Sequence, residues 1–269
     1  MTGRIQATFE GLRAEGRTGV VAYLTCGFPT PAETPALVDA LVEGGADIVE
    51  LGVPFSDPLA DGRTIQKSDQ VALEQGVTLS SCISTVATMR AAGLTVPLVL
   101  MGYYNPILAL GQSAFVDAAA AAGVDGVIVV DLPAEEAGDF RSLCSSRSLD
   151  LIFLVAPTTS DERLARTAGL ASGFVYCVSL AGTTGARERL PDHLPAFIGR
   201  VRAVTDLPLA VGFGIWKPEH FQALRGLADA AVVGSAIIDV VDRADASARC
   251  ENLREYVEVF SGRRGASIQ

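Results

Sequence analysis

Short runs of β-branched and aliphatic residues alternate with longer helix-like segments along the chain, and this alternation constrains the fold more than any other feature. It is typical of parallel βαβ units, in which each strand is followed by a helix packed on the sheet. Because eight such strands follow one another, we predict one closed (β/α)8-barrel domain over residues 1–269. The predicted strands span residues 20–25, 48–51, 97–101, 126–130, 151–155, 174–178, 208–211 and 230–233.

Residues typical of helix starts lie between these strands. Ser160 precedes an acidic pair and Thr30 precedes a proline, so a helix is predicted to begin at each. Residues 2–14 predict an extra helix that covers the bottom of the barrel. A short phosphate-binding helix is predicted after the eighth strand, opened by Gly234 and Ser235.

Composition excludes several classes of protein. With 49% hydrophobic residues the chain can fill the core of a buried parallel sheet, whereas its net charge of -10 argues against a nucleic-acid partner. No apolar run reaches the roughly 20 residues of a membrane span, and the first residues lack a signal-peptide pattern, so we expect a cytoplasmic protein. The five cysteines show no CxxC spacing, which predicts small core residues and neither disulfides nor a zinc cluster.

Two of the connections that follow predicted strands are long, residues 52–64 and 179–191, and long loops in compact domains usually carry function. In a barrel these loops share the face where active sites lie. Glu50 interrupts an apolar strand just before the first loop, where burial would raise its pKa and let it transfer a proton near neutral pH. A structural glutamate paired with an arginine or with backbone amides is the alternative.

The first loop itself holds Asp57 and Asp61. A second carboxylate close to Glu50 could divide acid and electrostatic roles with it. The Asp61–Gly62 pair could equally be ordinary turn chemistry. Its spacing from Glu50 favours a functional role, so Glu50 and Asp61 are the predicted catalytic residues.

Glycines recur after three consecutive predicted strands, in segments 179–185, 212–214 and 234–235. Glycine lets backbone N–H groups approach a phosphate closely, and a helix N-terminus favours an anion. Together these segments predict a phosphate site after strands six to eight.

Lysine and histidine offer little additional chemistry. Lys217 is the better placed of the two lysines for a Schiff base, but its neighbours predict a helix start and a solvated side chain. His193 and His220 also fall in predicted helix starts, which favours surface or capping roles. No cluster with the spacing of metal ligands is present, so no metal is predicted.

Longer motifs surround these residues: ADIVELGVPFSDPLADGRTIQ at 46–66, MGYYNPI at 101–107, VVDLPAEE at 129–136, and LVAPTT, GFVYCVSLAGTTGAR, VGFGI and VVGSAII further along. With them the chain resembles tryptophan synthase alpha subunits along nearly its whole length. The resemblance implies a retro-aldol cleavage of indole-3-glycerol phosphate to indole and glyceraldehyde 3-phosphate, without metal or organic cofactor. It assigns Glu50 to protonate indole C3 and to take the side-chain hydroxyl proton, and Asp61 to hold the indole N–H.

The resemblance also implies the remaining contacts. Phosphate would bind amides around Gly185, Gly214, Gly234 and Ser235, while Tyr176 would lie beside the two carboxylates and Thr184 would meet Asp61 when its loop closes. Tyr103 and Phe213 complete the expected substrate contacts. A pyridoxal-phosphate-dependent beta subunit would face Pro54, Asp57 and Pro58 in an α2β2 complex.

Three residues depart from the common family pattern: Phe28 for Asp, Arg63 for Pro and Thr183 for Val. A cation at Arg63 is expected to favour the charged form of Asp61, and loss of the proline to free the loop backbone. We therefore expect altered loop closure or partner coupling, with the chemistry kept. A stand-alone lyase that releases free indole and a catalytically silent regulatory subunit are the alternative functions.

Overall fold

The structure is a computed structural model that describes residues 3–179, 190–212 and 214–263. Eight parallel strands close into a barrel in chain order, which confirms the predicted (β/α)8, or TIM-barrel, fold. The strands are β1 (Gly19–Thr25), β2 (Ile48–Gly52), β3 (Leu98–Gly102), β4 (Gly126–Val129), β5 (Asp150–Val155), β6 (Val175–Val178), β7 (Leu209–Gly212) and β8 (Ala230–Val233).

The helices follow the strands around the outside of the barrel. They are α1 (Arg4–Ala14), α2 (Thr34–Gly44), α3 (Arg63–Glu74), α4 (Leu79–Ala91), α5 (Tyr104–Leu110), α6 (Gln112–Ala122), α7 (Gly138–Ser146), α8 (Asp161–Leu170), α9 (Leu194–Arg202), α10 (Pro218–Leu224), α11 (Ser235–Arg243) and α12 (Arg249–Ser261). A single 3-10 turn, Ala134–Glu136, precedes α7. Within the described ranges, no helix is long and apolar enough to span a bilayer.

Helix α1 covers the amino-terminal end of the barrel, as the sequence predicted. Its buried residues Ile5, Phe9 and Leu12 recur at helical spacing and so share one face. Phe9 packs against Phe174, just before β6, with 5.8 Å between ring centroids. With α1 at this end, the opposite, carboxyl-terminal end of the strands carries the loops predicted to hold the site.

The two predicted helix starts had different outcomes. Ser160 is the N-cap of α8 and accepts from the backbone N–H of Arg163, as predicted. The start predicted at Thr30 is wrong, because α2 begins at Thr34. The hydroxyl of Thr30 donates to Glu33 at 2.8 Å instead, inside the turn that precedes the helix.

The cysteines lack disulfide bonds, and four of the five are buried core residues as predicted. Cys250 is exposed on α12, so the prediction of a core residue is wrong there.

Asp125 joins α1, α4 and β3 at the amino-terminal end of the barrel. Its carboxylate, 8% exposed, pairs with Arg4 at 2.9 Å and with Arg90 at 2.5 Å, and accepts from the backbone N–H of Leu98 at 2.8 Å. Arg90 in turn donates to three backbone carbonyls, so most of its donors are occupied. The Asp125–Arg90 ion pair is therefore buried, and both side chains have further hydrogen-bond partners.

We expect Asp125→Ala to lower the free energy of unfolding by roughly 3–5 kcal/mol, because it leaves the Arg90 charge buried without its carboxylate. Urea unfolding followed by circular dichroism measures the loss. Asp117→Ala is the control, since its pair with Arg147 is about half exposed on both sides and should be worth less than about 1 kcal/mol. Equal losses in both variants would contradict this assignment.

Candidate active site

Glu50 lies inside the barrel on β2, flanked in register by Tyr23 on β1 and Val99 on β3. Its side chain is fully buried, and neither carboxylate oxygen has a hydrogen-bond partner among the described residues. Burial alone raises the pKa of Glu50 to about 8. Among the described residues, no arginine or backbone amide holds the Glu50 carboxylate. With its raised pKa, Glu50 can exchange a proton near neutral pH.

Asp61 is held at the end of the loop between β2 and α3. The hydroxyl of Tyr103 donates to Oδ2 of Asp61 at 2.7 Å and accepts from the backbone N–H of Ala60 at 3.0 Å. Gln66 donates to the backbone carbonyl of Asp61 at 2.8 Å. Burial raises the pKa of Asp61, and the hydrogen bond from Tyr103 opposes that rise by favouring the charged form.

Arg63 does not have the effect that the sequence suggested. Its side chain is exposed at the start of α3. The pKa of Asp61 is raised, with burial as the largest cause, and Arg63 is not among the groups that shift it. The expectation that Arg63 favours the charged form of Asp61 is therefore wrong.

Two buried tyrosines place the carboxylates around one space. The pKa of Tyr23 and that of Tyr176 are both raised, by burial first and then by the charges of Glu50 and Asp61 among others. Both rings cross the barrel interior over glycines, since a Cβ at Gly52 would collide with the Tyr23 hydroxyl and one at Gly212 with the Tyr176 hydroxyl. The charges of Glu50 and Asp61 both act on Tyr176, and its role in substrate binding stays a prediction.

Only part of the predicted phosphate site can be described. Gly234 caps α11, which begins at Ser235, so the predicted short helix after the eighth strand is present. Its first backbone N–H groups have no acceptor within the helix, as at any helix start. Gly214 has φ +76°, a conformation that favours glycine. Thr184, Gly185 and Phe213 lie outside the described residues.

The loop that carries Asp61 also presents the predicted partner residues. Asp57 is exposed and Pro58 is half-buried. Pro54 is buried, and its place at the partner interface stays a prediction. Leu59, which the sequence analysis passed over, is 91% exposed, and Leu108 on α5 is 50% exposed.

Lys217 and the two histidines lie at the starts of helices α9 and α10. Lys217 is the N-cap of α10, and its ammonium lies 4.5 Å from the centroid of the Trp216 ring, in agreement with a helix start. His193 caps α9. His220 is buried and accepts from the backbone N–H of Trp216 at 3.4 Å, so a capping contact is present but a surface position is wrong. The described residues contain no cluster of His, Cys, Asp and Glu suited to a metal ion.

Comparison with known proteins identifies this arrangement. The family model described as tryptophan synthase alpha chain matches residues 9–264. The chain belongs to the tryptophan synthase alpha chain family. It is 50% identical to the tryptophan synthase alpha chain of Roseiflexus castenholzii over 259 residues, which cover 96% of this chain and 99% of that relative.

Solved structures agree with this membership. A structure of Mycobacterium tuberculosis tryptophan synthase matches with a TM-score of 0.89 and 37% identity, over 97% of this chain and 98% of that chain. The tryptophan synthase subunit alpha of Legionella pneumophila matches with a TM-score of 0.88 and 35% identity, over 98% and 100%. The chain is thus a tryptophan synthase alpha-type lyase of tryptophan biosynthesis, the class of enzyme that acts on indole-3-glycerol phosphate.

A buried cluster of three polar side chains, Thr25, Ser68 and Asp69, was not predicted from the sequence. Thr25 at the end of β1 lies 2.6 Å from the hydroxyl of Ser68 and 3.5 Å from a carboxylate oxygen of Asp69. All three residues are buried. The signal was available in part, because Ser68 and Asp69 fall on the face of α3 that also buries Ile65 and Ala72.

We expect Tyr103→Phe to lower kcat for indole release by roughly tenfold, because Asp61 loses the hydroxyl that orients it. The ring would remain stacked on Phe55, 4.8 Å away between centroids. Steady-state kinetics with indole-3-glycerol phosphate measures the effect. Tyr104→Phe is the matched control, and a kcat for Tyr103→Phe equal to that of this control would contradict the role.

Proposed function

We propose that Glu50 and Asp61 divide the cleavage of indole-3-glycerol phosphate between them, in one barrel domain. Protonated Glu50 gives its proton to indole C3, and Asp61 accepts the indole N–H and stabilises the positive charge on the ring. The Glu50 carboxylate then takes the proton of the side-chain hydroxyl. The bond from C3 to the side chain breaks, its electrons restore the aromatic ring, and a carbonyl forms in glyceraldehyde 3-phosphate.

One observation carries this proposal: the fully buried carboxyl of Glu50, with a pKa raised to about 8, at the mouth side of the barrel interior. A carboxyl with that pKa is mostly protonated at neutral pH and so can begin as the acid. After giving up its proton it is a strong enough base to take the hydroxyl proton. Glu50 therefore ends the cycle protonated, as it began.

We expect kcat/KM to fall as the pH rises above about 8, with a slope that approaches tenfold per pH unit, because the starting acid is then lost. The sign follows from a pKa of Glu50 raised to about 8, which leaves the protonated form in excess below that pH. Initial rates of indole release across pH 6 to 10 measure the profile. A flat profile across this range would contradict Glu50 as the acid.

Substrate phosphate is proposed to bind the N-terminus of α11 at Gly234 and Ser235, together with Gly214 and with Gly185 and Phe213 of the undescribed segments. Thr184 is proposed to contact Asp61 on loop closure. These roles rest on the family resemblance and on the chemistry of helix N-termini. A cytoplasmic location likewise stays a prediction.

The surface formed by Asp57, Pro58, Leu59 and Leu108 is proposed to bind a tryptophan synthase beta subunit in an α2β2 complex. Two leucines with at least half of their area exposed support this. Their segments are joined, because the backbone N–H of Ala60, next to Leu59, donates to Tyr103, the N-cap of the helix that carries Leu108. Arg63, exposed beside this surface, is proposed to affect coupling to the partner. The pyridoxal phosphate would belong to the beta subunit.

An assay of indole release with and without a beta subunit tests this function. Cleavage by the chain that rises on addition of the beta subunit supports the proposal. Strong cleavage with no response to the beta subunit would indicate the stand-alone lyase, and no cleavage in either case would indicate a silent regulatory subunit.

Leu59→Ser should weaken beta-subunit binding in titration calorimetry, while Arg13→Ala at the opposite end of the barrel should not.

A further inference from the structure

The loop between β7 and α10 carries Gly214, one of the residues proposed to bind the substrate phosphate. Gly214 has a positive φ of +76°, and the side chain of Ile215 next to it is 4% exposed and belongs to the core. Trp216 follows, and α10 begins at Pro218. The position of the Gly214 backbone therefore depends on what holds the chain on either side of it.

Trp216 is held at both of its backbone polar groups. Its N–H donates to Nδ1 of His220 at 3.4 Å, and its carbonyl accepts from the hydroxyl of Tyr256 at 2.9 Å. His220 is a buried residue in the first turn of α10, whereas Tyr256 lies on α12. The N–H and the carbonyl of one residue belong to two consecutive peptide units, so the two side chains together hold both units.

Tyr256 is itself fixed by aromatic packing. Its ring stacks on Phe260, one helical turn further along α12, with 6.0 Å between centroids. Phe260 in turn packs on Phe221 of α10 at 5.2 Å, and both of these phenylalanines are buried. The hydroxyl of Tyr256 therefore reaches the loop from a ring whose place is set by the contact between α10 and α12.

Helix α12 is anchored to the barrel through α2. Arg249, the first residue of α12, pairs at 2.7 Å with Glu33, which precedes α2. A Cβ at Gly44 of α2 would lie 2.7 Å from the backbone carbonyl oxygen of Arg254, so the two helices are in close contact. Helix α12 is thus a fixed support from which Tyr256 can hold the loop.

The sheet fixes the other end of the loop. The carbonyl of Gly212, the last residue of β7, accepts from the backbone N–H of Ser179 at 3.0 Å. Gly214 therefore lies two residues after one fixed point and two residues before another, at Trp216. A loop that is ordered in this way before the ligand arrives loses less conformational freedom on binding, which strengthens the binding.

We propose, on the basis of the phosphate site proposed above, that Tyr256 and His220 are positioning residues that hold the loop between β7 and α10 in the conformation that binds the substrate phosphate. Both act through the backbone of Trp216, and neither takes part in the proton transfers assigned to Glu50. The phosphate is unchanged during the cleavage, so its contacts are the same in the substrate and in the transition state. Loss of either residue should therefore raise KM and leave kcat nearly unchanged.

Tyr256→Phe is the sharpest test, because it removes the hydroxyl and keeps the ring that stacks on Phe260. We expect KM for indole-3-glycerol phosphate to rise roughly 3- to 10-fold, the effect of one hydrogen bond, while kcat stays within about twofold of the wild type. Tyr104→Phe is the matched control, since the ring of Tyr104 packs on Phe140 and not on this loop. A KM for Tyr256→Phe equal to that of the control would overturn the proposal.

His220 allows a conservative replacement. His220→Asn brings an amide oxygen close to the place of Nδ1, where it can accept from the N–H of Trp216, whereas His220→Leu offers no acceptor. We expect His220→Asn to keep KM within about twofold of the wild type and His220→Leu to raise it roughly 3- to 10-fold. Equal KM values for the two variants, or a loss confined to kcat in His220→Leu, would overturn the role of His220.

Binding without turnover separates this inference from the proposed function. Glycerol 3-phosphate has a phosphate on a three-carbon chain and no indole, and its Kd is measured by titration calorimetry beside that of free indole. Tyr256→Phe should raise the Kd for glycerol 3-phosphate roughly 3- to 10-fold and leave the Kd for indole unchanged. A Kd for glycerol 3-phosphate equal to the wild-type value, or an equal loss for both ligands, overturns the inference even if the enzyme cleaves its substrate. A selective loss in a protein that cleaves no indole-3-glycerol phosphate supports the inference and contradicts only the proposed function.

Discussion

Glu50→Gln is expected to lose between roughly 10²- and 10⁴-fold in kcat for indole release, the range that a positioned general acid-base group contributes. Glutamine fills the same fully buried space and leaves the neighbouring Tyr23 and Tyr176 in contact. It can neither give a proton to C3 nor take one from the hydroxyl. Because its size is matched, the loss reports proton transfer and not packing.

Binding of the substrate provides the control for this variant. The Kd of Glu50→Gln for indole-3-glycerol phosphate, measured by titration calorimetry, should stay within about fivefold of the wild-type value, since the phosphate contacts remain. A variant that cleaves the substrate at more than about a tenth of the wild-type rate would contradict the assignment of Glu50. A comparable loss of binding and turnover would indicate a structural role instead.

Glu50→Gln is also expected to be more stable than the wild type, by a margin that grows as the pH rises. Between the ordinary pKa of 4.5 and the raised value of about 8, folded Glu50 keeps a proton that the unfolded chain gives up. The free energy of unfolding of the wild type therefore falls as the pH rises through this window. Glutamine is neutral throughout and escapes that loss.

The advantage of Glu50→Gln over the wild type should therefore grow by on the order of 3 kcal/mol between pH 5 and pH 8. Urea unfolding at the two pH values, followed by circular dichroism, measures the change. Glu74→Gln is the control, because Glu74 is exposed near the end of α3 and should show little change in either direction. Parallel stability curves for wild type and Glu50→Gln would contradict burial as the cause of the raised pKa.

The barrel was predictable from local pattern, because each strand is a short apolar run ended by glycine or a polar residue. Predicted and observed strand ends differ by at most one residue. The sequence placed the third and seventh strands one residue early, at Pro97 and Pro208. A proline has no N–H to give to a sheet, although its carbonyl can still accept, as that of Pro97 does from Val49.

The sequence predicted Glu50 because a charged residue inside an apolar strand is conspicuous. The structure buries its side chain, and burial raises its pKa to about 8, while its catalytic role stays a prediction. It missed Asp69 because a helix carries many polar residues, and only contacts with Thr25, distant in sequence, distinguish this one. The expected effect of Arg63 on Asp61 is absent for a related reason. Proximity in sequence suggested a favourable charge, but the burial that raises the pKa of Asp61 depends on the folded loop.

The central claim, that Glu50 gives its proton to indole C3, can be tested without carbon–carbon cleavage. Free indole is incubated with the enzyme in D2O, and exchange of the C3 hydrogen is followed by proton NMR. The wild type should catalyse this exchange, since proton transfer to C3 is the first step in the proposed cycle, and Glu50→Gln should reduce it to the rate without enzyme. Exchange by Glu50→Gln at the wild-type rate, or none by the wild type, would contradict the account.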